Sequence, residues 1–249
     1  MAYADAKIDA FAHSEFRIGQ VLSKSLNVFF QNIVTFTLIS ATVALPFVVL
    51  SALGVDEGAA PQDKAIQAIS AIVLLMFLSP LATAIILFGA FQHMRGRPVR
   101  LGDAISRGLS RFFPLVGVMF LQTIGVFLGS MLLLVPGLIL LAMWYVTVPA
   151  CVVEKTGPIR SLGRSRQLTK GYRWKLFGLF LLTMILGLLG NVFIFVANQL
   201  AGQWGQVGAQ FLWQGLIGGF GGVLIAVTYY YLRVAKEGVD VEQIAAVFD

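Results

Sequence analysis

Charge is what this chain has least of. Only 12% of its residues are Asp, Glu, Lys or Arg, about half the usual share of soluble proteins. Four stretches carry none at all: Ser25–Val55, Ala65–Met94, Phe112–Val153 and Leu176–Leu232. Together they exceed half of the 249 residues, and hydrophobic types make up 58% of the whole. A soluble fold is excluded, because a globular surface needs charge interspersed with its apolar residues. Cysteine is nearly absent too. The single Cys151 rules out an internal disulfide and has no metal-ligand spacing around it. Histidine occurs twice, at His13 and His93. Neither has a partner at ligand spacing, so no metal and no cofactor is expected. The N-terminal stretch Met1–Gln31 is polar and of mixed charge. It lacks the basic segment, apolar stretch and small-residue cleavage site of a signal peptide. The first apolar run is therefore expected to stay as an anchor.

What is present is membrane-length apolar sequence. A bilayer core is about 30 Å thick and takes about 20 apolar residues per helix. The first two runs each fit one crossing, and the last two each fit a helical hairpin. The expected fold is all-α, with six transmembrane helices in three hairpin-like units. They fall near Asn32–Leu53, Ala68–Phe91, Phe113–Val135, Leu138–Val153, Leu176–Ala197 and Phe211–Leu232. Pro136-Gly137 is the expected turn of the third run, since proline ends the hydrogen-bond ladder and glycine turns freely. The amide-rich stretch Asn198–Gln210 is the expected turn of the fourth. Pro46 and Pro80 predict kinks in the first two helices.

The net charge of +6 comes from 18 basic against 12 acidic residues, and their places matter more than the sum. Lys7, Arg17 and Lys24 precede the first crossing. Arg95, Arg97, Arg100, Arg107 and Arg111 fill the second connection. Seven basic residues from Lys155 to Lys175 fill the fourth, and Arg233 and Lys236 come after the last crossing. Only Lys64 lies on the other side, near Asp56, Glu57 and Asp63. Lys and Arg are retained in the cytoplasm during insertion. The reading is a cytoplasmic N-tail (1–31), a six-helix domain (32–232) with cytoplasmic loops at 95–111 and 154–175, and a cytoplasmic C-tail (233–249). That puts both termini and both basic loops on the cytoplasmic side of a membrane.

The segment Arg17–Phe30 recurs 83 residues later as Arg100–Phe113, with Arg, Gly, Ser, Leu and a Phe pair in register. Apolar residues keep helical spacing in both. Ser161–Arg166 reads as a looser third copy. A basic amphipathic helix followed by a hairpin, used three times, is the expected design. Such helices lie in the cytoplasmic interface, basic side toward headgroups.

Chemistry-bearing residues are few. All twelve acids lie outside the apolar runs, which argues against an ion-coupled pump and gives hydrolysis no acid–base pair. No enzymatic activity is expected. Arg164, Arg166, Arg173 and Trp174 are the candidate lipid-headgroup residues, since Arg contacts phosphate bidentately and Trp suits the interface beside it. Glu154 and Glu237 read as ion-pair partners holding the basic loops. Gln122, Thr123 and Asn191 are polar groups inside the runs, ordinarily used for interhelical hydrogen bonds. Asn191, Gln203, Gln206, Gln210 and Gln214 could instead line a polar vestibule. Gly125 and Gly129, and the set Gly215, Gly218, Gly219 and Gly222, give small-xxx-small spacing for close helix packing. That packing serves either the chain itself or a second copy.

Several motifs point to a family. Leu134-Val135-Pro136-Gly137-Leu138-Ile139 is followed by Val148-Pro149-Ala150-Cys151-Val152-Val153-Glu154-Lys155-Thr156-Gly157. Then come Arg164-Ser165-Arg166-Gln167-Leu168-Thr169-Lys170-Gly171-Tyr172-Arg173-Trp174 and, at the end, Tyr230-Tyr231-Leu232-Arg233-Val234-Ala235-Lys236-Glu237-Gly238. This combination resembles the bacterial YciC-like multi-pass inner-membrane proteins. It is also similar to the membrane domain fused to some glycerophosphoryl diester phosphodiesterases. The resemblance implies a six-helix inner-membrane protein and no catalytic domain, since only a short tail comes after Leu232. The expected role is non-enzymatic binding of anionic phospholipid, or of a membrane partner, through the basic cytoplasmic face. A homo-oligomer fits the glycine faces, and no nucleic-acid partner is expected. The alternative is a transporter or channel for a small solute or lipid.

Overall fold

The protein is described by a computed structural model covering residues 16–52, 60–97, 99 and 101–238. Lys7, His13, Asp56, Glu57, Arg100 and the tail from residue 239 lie outside the described residues. Among the described residues every regular element is an α-helix. In chain order these are α1 Ile18–Gln31, α2 Ile33–Ala52, α3 Pro61–Met94, α4 Leu101–Ser110, α5 Phe112–Leu132, α6 Leu134–Met143, α7 Thr147–Val153, α8 Pro158–Thr169 and α9 Arg173–Glu237. Among the described residues five stretches are long and apolar enough to cross a membrane by length and composition: Ile33–Leu50, Phe77–Met94, Phe112–Leu132, Val135–Val153 and Arg173–Glu237.

The last of these is not one rod. Its 65 residues would extend about 98 Å at 1.5 Å per residue, three bilayer cores end to end. It breaks at Ala201 and Gly202, the latter at φ 60° and ψ −153°. That combination belongs essentially to glycine alone. The two limbs then fold back on each other. Gly190 lies against the Trp213 indole and Gly205 against the Ala197 carbonyl, pairs that both centre on the break. Phe193 and Trp213 pack beside them with tilted rings, 6.0 Å apart. The break falls inside the stretch Asn198–Gln210 expected as the turn, and the rest of that stretch is helical, because the α-helix pairs its backbone without needing water.

The turn of the third run sits a few residues before the one the sequence predicts. Leu133 alone is extended, at φ −162° and ψ 149°, and α6 starts at Leu134. Pro136 therefore falls in the first helical turn, where a missing N–H leaves no bond unmade. Gly137 serves contact rather than turning: its missing side chain makes room for Ser130. The expected fourth helix, 138–153, is interrupted at Trp144–Val146 and resumes as α7. The second begins earlier than expected, at Pro61, and runs on through Pro80.

Burial divides the helices into two sets. The core gathers residues 84–91 of α3, all seven residues of α7, and the stretch 219–232 of α9. Gly222 leaves room for Ile86, whose side chain would lie 2.8 Å from an added Cβ. Phe91 meets Tyr229 edge-on at 6.5 Å. Toward the other side, α2, α5 and the first limb of α9 expose rows of Leu, Val, Phe and Ile, the surface a lipid tail would cover. The second limb of α9 runs antiparallel to α2, with Gly215 against Thr37 and Ala41 and Gly219 on the Phe36 carbonyl.

Candidate functional site

The ends of the elements that carry basic flanks meet at one end of the bundle. Gln31, closing α1, bonds His93 near the close of α3 at 2.7 Å. Lys175 donates to the Phe16 carbonyl at 2.7 Å. The Phe16 ring packs on Tyr172 at 5.3 Å. Tyr172 in turn lies under two ammonium groups, Lys175 at 5.6 Å and Lys236 at 5.4 Å. Cation–π attraction of this kind holds positive charge on the ring face.

Beside this cluster lies a charged chain that ties α8 to the last helix. The Arg164 Nε donates to both Glu154 oxygens, at 2.7 and 2.9 Å. Its terminal nitrogen reaches Glu237, which also accepts from Arg233 at 2.8 Å. Tyr229 donates its hydroxyl to Glu154 at 2.9 Å. Burial by itself lowers the Arg164 pKa, but hydrogen bonds and attraction from Glu154 and Glu237 outweigh it and hold the guanidinium above its usual range. Arg164 stays charged at any physiological pH. One planar fork thus bridges two carboxylates 83 residues apart in sequence, a geometry Lys cannot reproduce.

The adjoining face of α8 is a line of hydroxyls. Ser161, Ser165 and Thr169 recur four residues apart and are all fully buried. Ser165 donates to the Met143 carbonyl at 2.9 Å, and the Thr169 hydroxyl is shared between that carbonyl at 3.1 Å and the Ser165 carbonyl at 2.9 Å. The Met143 carbonyl is freed where α6 ends, so α8 supplies the partners the interrupted helix lacks.

The four candidate headgroup residues are divided by this arrangement. Arg164 is committed to the carboxylates. Arg166, about 200° further round α8, is exposed. Trp174 is 86% exposed at the start of α9. Arg173 is half-buried, and its Nε is shielded from solvent with no acceptor among the described residues. Sequence reasoning named both carboxylates but missed Tyr229, Tyr172 and Phe16. The visible signal was a tyrosine run closing an otherwise charge-free helix, with its polar tips at the basic end.

A family profile for a domain of unknown function, DUF7847, matches residues 101–232, just over half of the chain. The chain belongs to the DUF7847 family. No curated protein and no solved structure matches it. The matched DUF7847 region opens at the first residue of α4 and closes beside Tyr229 and Arg233, so it contains Glu154, Arg164 and the hydroxyl face of α8.

Elsewhere in the DUF7847 region, Gly125 faces Trp144 and Gly129 faces Leu140, joining α5 to α6. Gly215, Gly218 and Gly219 face α2, and Gly222 faces α3. These glycine surfaces are occupied by the chain's own helices. Gln122 reaches the Trp144 carbonyl at 3.4 Å. Asn191 is exposed and donates to its own Gly187 carbonyl at 3.2 Å. Gln203, Gln206, Gln210 and Gln214 succeed one another along a single face of the second α9 limb. The first two are exposed and the last two half-buried. Among the described residues no three His, Cys, Asp or Glu side chains gather as a metal site.

Proposed function

We propose that this chain is a non-enzymatic protein of the bacterial cytoplasmic membrane that holds anionic phospholipid at its basic end through Arg166, Arg173 and Trp174. In this reading six crossings form three helical pairs, and both termini face the cytoplasm. Seventeen of the 18 basic residues fall on the segments this topology puts in the cytoplasm. The clustering of Phe16, Gln31, His93, Tyr172 and Glu237 at one end of the bundle supports that side assignment. The resemblance to YciC-like proteins, and to the membrane domain of fused phosphodiesterases, fits the same picture without lending it an activity.

One observation carries the lipid reading. A guanidinium N–H shielded from water with no acceptor costs about 1–3 kcal/mol, and Arg173 holds one, without an acceptor among the described residues, beside an exposed tryptophan. A phosphate oxygen at the headgroup level would satisfy it once the half-buried side chain turns outward. Arg164 then positions α8 rather than touching lipid. Native mass spectrometry of protein extracted in mild detergent tests this. Replacing Arg166 and Arg173 by Gln should abolish the preference for phosphatidylglycerol over phosphatidylcholine. An unchanged preference in folded, inserted protein leaves the basic residues with the topological role alone.

Transport of a small solute or lipid is the second reading, favoured by the glutamine line that passes from exposed to half-buried along α9. It needs water to reach Gln210 and Gln214.

A further inference from the structure

We infer that α8 is the third copy of the amphipathic helix and that Phe30, Phe113 and Trp174 are equivalent anchors, seated in the cytoplasmic leaflet at one common depth. Aligning α4 with α1 at 83 residues and α8 with α4 at 61 residues brings several independent features into register. Gly19, Gly102 and Gly163 coincide, each with open space where a Cβ would stand. Val21, Ala104 and Ser165 coincide and are buried, as do Ser25, Gly108 and Thr169. Leu26, Leu109 and Lys170 coincide and are exposed. The last matched position is aromatic in all three: Phe30 is 63% exposed, Phe113 84% and Trp174 86%. The sequence match of the third copy is poor, because Arg166 and Lys170 replace apolar residues. The burial register recovers it.

The repeat extends to the pair of helices after each copy. After α1 come α2 and α3, after α4 come α5 and the α6–α7 pair, and after α8 come the two limbs of α9. In each pair the first helix is the lipid-exposed one and the second contributes to the buried core. The DUF7847 match, beginning at Leu101 and ending at Leu232, covers the second and third units up to the last turn of α9 and splits none of the matched features.

The occupant of this aromatic ring is the bilayer itself. Each aromatic stands within three residues of where an apolar crossing begins: Ile33, Phe112 and Arg173. Each is continuous with an exposed apolar row, through Val34 and Leu38, Phe120, and Leu181. Aromatic rings concentrate at the membrane–water boundary, and the basic residues of α1, α4 and α8 complement anionic headgroups. Each ring meets a phenylalanine of its own segment edge-on, Phe29, Phe112 or Phe177, which leaves most of its surface open. A leaflet covers all three at once.

This inference rests on the membrane insertion proposed for the chain and is tested separately from lipid preference. In a protein with Trp144, Trp174, Trp204 and Trp213 changed to Phe, a single tryptophan is placed at position 30, 113 or 174. Each variant is reconstituted in vesicles of phosphatidylcholine and phosphatidylglycerol brominated at shallow, middle or deep acyl carbons. All three reporters should lose most emission to the shallow bromines, with matching depth profiles. One reporter quenched best by deep bromines, or reached only by aqueous iodide, overturns the equivalence. Should the four-Phe background fail to fold, nitroxides on single cysteines at the three positions, in Cys151→Ala protein with its tryptophans otherwise intact, give the same depths from oxygen and nickel-chelate collisions. Equal shallow depths with no preference for phosphatidylglycerol would keep the anchors and remove the headgroup site. Unequal depths with the preference intact would do the reverse.

Discussion

Replacing Arg164 by Met should destabilise the folded bundle by about 2 kcal/mol, and the structure fixes that size from two sides. Exposed ion pairs contribute about 1 kcal/mol or less, while breaking a buried one costs about 3–5 kcal/mol. The Arg164 side chain is 24% exposed, Glu154 19% and Glu237 24%, so the site lies between those limits. The upper limit is not reached, because Glu154 keeps the Tyr229 hydroxyl and Glu237 keeps Arg233. About 2 kcal/mol is roughly a 30-fold change in the folding equilibrium. For a chain of this size it lowers the midpoint of thermal melting in mild detergent by about 4–8 °C. Arg164→Lys should recover only part of the loss, since a point charge meets one carboxylate well and not both. In a double-mutant cycle, Glu154→Gln together with Arg164→Met should cost less than the two single losses added. Losses that add within about 0.5 kcal/mol, or an Arg164→Met protein melting like the parent, would refute the bridge.

Packing and polar lining set three further expectations. Enlarging Gly190 to Leu drives a side chain into Trp213, and Gly222→Leu does the same to Ile86; each should cost about 1–3 kcal/mol in detergent melts, and neutral behaviour would mean these helices do not pack as described. The Met143 carbonyl has two donors, so Ser165→Ala or Thr169→Ala alone should be mild. Losing both should cost about 1–3 kcal/mol, visible as a melting shift larger than the two single shifts combined. Single cysteines at Asn191, Gln210 and Gln214 probe the transport reading: rapid reaction at all three with a small impermeant thiol reagent, alongside a harmless Gly218→Leu, would favour a permeation path over helix packing.

The helical class was readable because lipid allows few alternatives: a charge-free run of bilayer length must pair its backbone within itself. The break of the last run falls inside the expected stretch Asn198–Gln210, while the break of the third run sits three residues before the expected Pro136-Gly137. Pro136-Gly137 is a turn former in water, whereas the helix here ends at Leu133. Proline fits a first helical turn, and an amide-rich stretch keeps its helix. Gly202, at positive φ, fixes where within Asn198–Gln210 the chain turns, and nothing local singled it out among 26 glycines. The interruption at Trp144–Val146 left no local trace, since its repair comes from hydroxyls on α8 more than 20 residues away. Glu154 and Glu237 could be read as ion-pair partners, but not that one arginine serves both. That requires knowing that α8 lies beside the last turn of α9.

Everything proposed for the basic end depends on its facing the cytoplasm from within a membrane. Side-specific cysteine labelling in a Cys151→Ala background measures this most directly. A cysteine at Gly58 should react with an impermeant maleimide in intact spheroplasts, while cysteines at Ser110 and Arg166 should react only in inside-out vesicles. Labelling of Gly58 only after the inner membrane is breached, or of Arg166 from outside, would contradict the account.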